Sequence, residues 1–290
     1  MPNSIAYKIN YASKLDKKLE QEAVSSVLDV NQDLVGDFVG ARQVKVRKLS
    51  TDGLGNYSTS TGYPMGAFTL AEEVVTLAYD RGKKFPIDRI DDLDSGQIIS
   101  ANVMGEFIRL KVAPEVDAIR FAKYASSAGT TATPGALTAD TITDAVDAAE
   151  AQIGQTSDPT LCKLFVGWGV YALLKKAQKE RFVQAAGTVV DTNIEKYDGI
   201  QIVRVPDARF TVAPTVSATD GYTPGAQGIN FLLINPACVQ QIKKHENTKI
   251  ISPDVNQTSD DWLFFYRLVH DAIVLDNQKA GIYAHLKAAA

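Results

Sequence analysis

The sequence is poor in the residues that usually announce chemistry. It carries two cysteines, Cys162 and Cys238, and three histidines in 290 residues. Two cysteines cannot build a disulfide framework or a cysteine-rich zinc site, which points to a reducing compartment. His245, His270 and His285 stand 25 and 15 positions apart, whereas a helical zinc site wants two of them one turn apart. No apolar run approaches the ~20 residues of a membrane span. The start, MPNSIAYKIN, lacks a basic region followed by an apolar stretch, so neither a secretory signal nor a membrane partner is expected. Basic excess is missing as well. Lys plus Arg number 30 against 34 Asp plus Glu, a formal charge of -4, which argues against holding nucleic acid mainly by charge.

The local motifs of catalysis are equally scarce. Cys162 sits in an apolar run and Cys238 follows a proline-alanine pair, and both read as small buried hydrophobes. No G-x-S-x-G elbow occurs. His270-Asp271 looks like half of a relay, but neighbours in a strand point to opposite faces. DRIDDLDSG invites a calcium loop, yet counting from Asp88 puts Leu93 at the glycine position, and counting from Asp92 puts Gln97 there. GLGN follows no apolar strand and opens no helix, so it is not a phosphate loop. No enzyme activity and no cofactor are expected.

What is present is a run of well-patterned elements, some of which have no visible place to bury themselves. In YASKLDKKLEQEAVSSVLDV, Leu15, Leu19, Ala23 and Val27 recur every four residues on an otherwise charged helix. Such a narrow stripe must dock on its own domain or on a neighbouring subunit. From Arg42 to Ser50 the alternation is that of a strand. A Gly/Ser/Thr-rich stretch with turn signals at Asp52-Gly53 and Tyr63-Pro64 follows, then a second extended run, EEVVTLAYDRGKKFPID. This predicts an extended β-hairpin too long to be stable alone in water.

A long helix is predicted from Asp94 or Ser95 to about Tyr124, with apolar residues from Ile98 to Ile119 spaced by three and four. That is roughly 30 residues, or about 45 Å, with a bend near Leu110 to Pro114. SSAGTTATPGALT reads as a flexible break. An alternating region follows: helices at 138–154 and GVYALLKKAQKERF, strands at LCKLFVGW, IQIVRVP and INFLLINP, an irregular insertion from Asp207 to Gly228, and a third helix at ACVQQIKKHE. KIISP and the strand-rich DWLFFYRLVHDAIVLDNQKAGIYAHLK close the chain.

This order resembles the major capsid protein of tailed bacteriophages, the HK97-like fold family, over essentially the whole chain. AYKINYASKLDKKL resembles its N-terminal arm, VKVRKLSTDGLGNYSTSTGYPMGAFTLAEEVVTLAYDRGKKFPID its E-loop, and GEFIRLKVAPEVDAIRFAKYA its spine helix with the internal proline. INFLLINPACVQQIKKHENTKIISPD resembles the end of the axial domain, and DWLFFYRLVHDAIVLDNQKAGIYAH the strands returning to the peripheral domain.

The resemblance implies an α+β fold divided as arm 1–41, E-loop 42–93, spine helix and first part of the peripheral domain 94–137, axial domain 138–250 and return strands 251–290. It implies a structural subunit forming pentamers and hexamers of an icosahedral shell. That shell would enclose double-stranded DNA without reading its sequence, in a virion assembled in the bacterial cytoplasm. Scaffolding, portal and decoration proteins would be separate chains. Contacts between subunits are expected from Leu15 and Leu19 on the arm. On the hairpin they are expected from Arg42, Lys45, Arg47, Lys48, Tyr57 and Tyr63. Facing carboxylates would come from a neighbour's Asp88, Asp91, Asp92, Asp94 and Glu106. Some relatives form Lys–Asn cross-links, and Lys83, Lys84 and Asn56 match those by residue type only. An encapsulin-like compartment, an unrelated α/β enzyme and a monomeric binding module are the alternatives.

Overall fold

The structure is a computed structural model describing residues 23–29, 35–38, 42–94, 98–179 and 194–288. Leu15 and Leu19 lie outside the described residues. The described end of the expected arm is a 3-10 turn, Val24–Leu28, with Ala23, Ser25 and Leu28 buried.

Strands β1 (Val35–Phe38), β2 (Gln43–Thr51) and β3 (Phe68–Thr76) form an antiparallel sheet in that order. The expected hairpin is the pair β2–β3, in register from Gln43↔Thr76 to Thr51↔Phe68, with residues 52–67 as its tip. The second extended run is not one strand. It breaks at Leu77 and Ala78, because Leu77 is buried among Val44, Val46, Ile242, Val269 and Leu275. The Ala78 N–H is taken up by an Asp271 carboxylate oxygen at 2.9 Å. Beyond the break, β4 (Tyr79–Asp88) leaves the hairpin altogether.

Helices α1 (Arg89–Asp94), α2 (Ile98–Phe107) and α3 (Ala113–Ser126) follow. The bend expected near Pro114 takes the form of a π-helical turn, Ile108–Val112, between α2 and α3. Within it the Ala113 N–H reaches five residues back to the Ile108 carbonyl. Pro114 then falls in the first turn of α3, directly after the π-turn.

The alternating region gives β5 (Thr130–Thr131), α4 (Ile142–Gly154), β6 (Lys163–Gly167), α5 (Trp168–Lys179), β7 (Lys196–Tyr197) and β8 (Ile200–Val205). Next come β9 (Thr211–Val212), β10 (Thr215–Val216), β11 (Tyr222–Thr223) and β12 (Gln227–Ile234). The last strands are β13 (Val239–Ile251), β14 (Asp261–Val274) and β15 (Ile282–Leu286).

The third helix expected at ACVQQIKKHE does not form. After a 3-10 turn at Pro236–Cys238 the chain enters β13, thirteen residues long, and pairs with β14 from Val239↔Val274 to Ile251↔Leu263. Residues 239–242 are all buried, so both faces are covered and no helical periodicity survives. The expected boundary at residue 250 therefore falls inside a strand. The break expected at 126–138 contains β5, which pairs in parallel with β15.

Two sheets carry the body. One is β13-β14-β4, antiparallel. The other runs β5-β15-β12-β6-β8-β7, with β9 on the side of β12. The helical segment bridges them. Met104, Ile108, Val112 and Val116 pack on Phe264, Tyr266 and Leu268 of β14. Phe121 and Tyr124 sink into the core of the second sheet, among Phe165, Phe210 and Leu232. The chain is α+β.

Candidate assembly surface

The hairpin is built to be held rigidly at its root and left bare elsewhere. At the root, Val44 and Val46 are fully buried while β3 is exposed along nearly its whole length. Alternation in FTLAEEVV puts Phe68, Leu70 and Val74 on one face, at 76%, 57% and 49% exposure. A strand with that pattern ordinarily turns those residues to a core, and here, among the described residues, they are left exposed.

The tip is preorganised rather than loose. The Asp52 N–H donates to the Ala67 carbonyl, and its carboxylate accepts from the Ala67 N–H at 2.8 Å. Ser58 and Gly62 exchange backbone bonds, with Gly62 at φ +80, a conformation that favours glycine. Tyr57 and Tyr63 meet edge to face, centroids 5.0 Å apart. Both rings, together with Leu54 and Met65, are exposed.

Arg42, Lys45, Asp88 and Glu106 among the expected cations and carboxylates have partners in their own chain. Arg42 pairs with Asp80 at 2.7 Å, and Arg267 grips the same carboxylate with two bonds, which holds Asp80 below its ordinary pKa. Lys45 pairs with Glu72 across the hairpin. Glu106 pairs with Arg109, and Asp88 accepts from the Ile90 N–H. Asp91 is exposed on α1. Arg47 and Lys48 lie in β2, and Asp92 and Asp94 in α1, but their side chains are outside the description. The cross-link candidates are engaged separately. Lys83 donates to the Thr219 carbonyl, Lys84 lies over the Phe265 ring, and Asn56 is exposed at the tip.

Three buried charges that sequence reasoning missed hold the parts together. Asp117, at 0% exposure, accepts from the N–H groups of Val24 and Ser25 and from Arg209. Arg120 donates to the Ser25 hydroxyl, and Gln241 to the Ser25 carbonyl. Arg81 forks onto Glu115 and also donates to the carbonyls of Ser217 and Gly221. The signal was there: EVDAIR puts three charges in an otherwise apolar helical stretch.

Burial pushes the Cys162 thiol up to about 12 and the Cys238 thiol to about 11. His270 is stacked on Tyr79 and burial drives it down to about 3, with Arg120, Arg81 and Lys243 adding to the effect. Among the described residues, no three His, Cys, Asp or Glu side chains come together as metal ligands, and no helix is long and apolar enough to cross a membrane.

No family model matches the chain, and no curated protein does. Solved structures do. The capsid of the cyanophage P-SCSP1u superposes with a TM-score of 0.63 at 16% identity, over 91% of this chain and 87% of that one. The mature capsid of bacteriophage PhiM1 gives 0.61 at 13%, over 88% and 86%. A virus-like particle from Pyrococcus furiosus gives 0.56 at 12%, over 96% and 99%. The likeness is one of fold and spans nearly the whole of each chain. This chain has the HK97-like fold found in phage capsids.

Proposed function

We propose that the chain is a structural capsid subunit of the tailed-phage type. It assembles with copies of itself into pentamers and hexamers of an icosahedral shell around packaged DNA, and it catalyses nothing. The carrying observation is the bare hairpin. Phe68, Leu70 and Val74 are exposed apolar side chains along one face of β3, which they share with Glu72, and among the described residues they stay largely uncovered. Exposed apolar stripes and unprotected strand edges mark protein contacts. On this reading the hairpin lies over the next subunit, the helical segment forms the spine, the β13-β14-β4 sheet is peripheral and the larger sheet axial. The arm, with Leu15 and Leu19, is laid on a neighbour. The formal charge of -4 suits a wall that does not hold DNA back. Assembly would take place in the bacterial cytoplasm.

The likeness to the virus-like particle supports a second reading, a shell of the same build around protein cargo. Negative-stain microscopy and sedimentation of the purified full-length chain test the first step common to both. Closed particles or hexameric rings are the expected result. A monodisperse monomer at all concentrations overturns both readings. Nuclease-protected genome-length DNA in particles from infected cells separates the first from the second.

A further inference from the structure

The three-stranded sheet has two very different sides. Its inner side carries Phe264, Tyr266 and Leu268 against the helical segment. Its outer side is built from the alternate residues, and the register sets Lys84, Phe265 and Lys249 in one row across β4, β14 and β13, with Gly82, Arg267 and Asn247 in the next. Lys84, Lys249 and Arg267 are all exposed. Asp80 at the edge of this face is already shared by Arg42 and Arg267, so the outer side is net positive. Among the described residues no carboxylate pairs with Lys84 or Lys249.

The end of the same sheet carries the opposite charge. β4 finishes at Asp88 and runs into Asp91 of α1, while Asp254, Asp260 and Asp261 lead into β14. Arg89 is the cation paired with this group, reaching Asp254 at 3.3 Å and Asp260 at 3.5 Å. Four residues of strand, about 13 Å, separate Lys84 from Asp88, too far for the two ends to neutralise each other. A surface with a positive face and a negative end matches itself head to tail, which is the kind of contact that builds rings and shells.

We propose that the open face of the β13-β14-β4 sheet receives the acidic end of that sheet from a second copy of the chain. The inference rests on the shell reading above but names a contact distinct from the hairpin stripe. A nucleic-acid strand on the same face would need a longer positive track than one bounded by Asp88 and Asp261.

Sedimentation velocity across a salt series, on the full chain, is the test. Wild-type assembly weakens as salt screens the contact. Lys84→Glu with Lys249→Glu lowers association at low salt by about tenfold or more. Asp91→Lys with Asp254→Lys, which lie outside the strand ladder, does the same. The quadruple variant regains most of the association with the opposite charges exchanged. Thermal melts of all variants stay near wild type, since every position is exposed. The docking idea alone is overturned if either pair assembles like wild type, or if the quadruple variant is no better than the pairs. The second result would favour a polyanion on the face. A wild-type chain that never associates overturns the shell reading along with it.

Discussion

Asp117 has no contact with solvent, two backbone N–H donors at 3.0 Å and the Arg209 guanidinium at 3.1 Å. Replacing it by alanine leaves those donors buried without an acceptor and Arg209 short of its counter-charge. The expected loss is about 3 kcal/mol in a denaturant titration, and Asp117→Asn, which keeps one acceptor oxygen, loses less. His270 gives a pH dependence whose sign is fixed by its direction of shift. Its folded pKa of about 3 lies below the ~6.5 of an unfolded histidine. Between those values the unfolded chain binds a proton that the native chain refuses, so stability falls as pH drops. The slope from this one group is about 1.4 kcal/mol per pH unit, or about 2 kcal/mol between pH 6.5 and 5. His285 shifts in the same direction. His270→Phe keeps the ring against Tyr79 and removes its share of the slope. Equal slopes for the two proteins would refute the assignment.

The hairpin can be tested one element at a time. Phe68→Ser with Leu70→Ser changes residues whose side chains are mostly exposed on β3, so the unfolding free energy should move by less than about 1 kcal/mol. Particle formation should be lost. A variant that still forms particles would remove the stripe from the assembly surface. This element was legible in the sequence because turn chemistry and period-two alternation are local signals. So was the helical segment from Ile98 to Ser126, where Pro114 gave away the irregular turn, although the helix expected to start at Asp94 or Ser95 is preceded by a separate one ending at Asp94. The strand β13 was not. Val239 and Ile242 stand three apart with lysines behind them, which is helical spacing, and what overrides it is pairing with β14, more than twenty residues further along. The same kind of distance hid the partner of Asp80, because Arg42 and Arg267 come from opposite ends of the sequence. Residue type alone suggested that the hairpin cations would look outward for carboxylates, and for Arg42 and Lys45 the structure supplies those carboxylates from within.

At the scale of the molecule, some of the polar bonds that join the two sheets are concentrated at single residues. Arg81 on β4 ties the smaller sheet to α3 through Glu115 and to the β10–β11 turn through the Ser217 and Gly221 carbonyls. Arg81→Met should cost about 2 kcal/mol, because a largely buried Glu115 loses its counter-ion. It should also raise hydrogen exchange in residues 215–223 before it does so in the core. Uniform exchange across the chain would count against a joint at this position. The turn at Val24–Leu28 is secured in a comparable way, to Asp117 and Arg120 in the middle of α3 and to Gln241 on β13. A tug at residue 23 is consequently delivered to the centre of α3, with nothing slack between it and those bonds. Residues 23–28 are thus moored like a cable to a beam, and whatever pulls there pulls the whole frame.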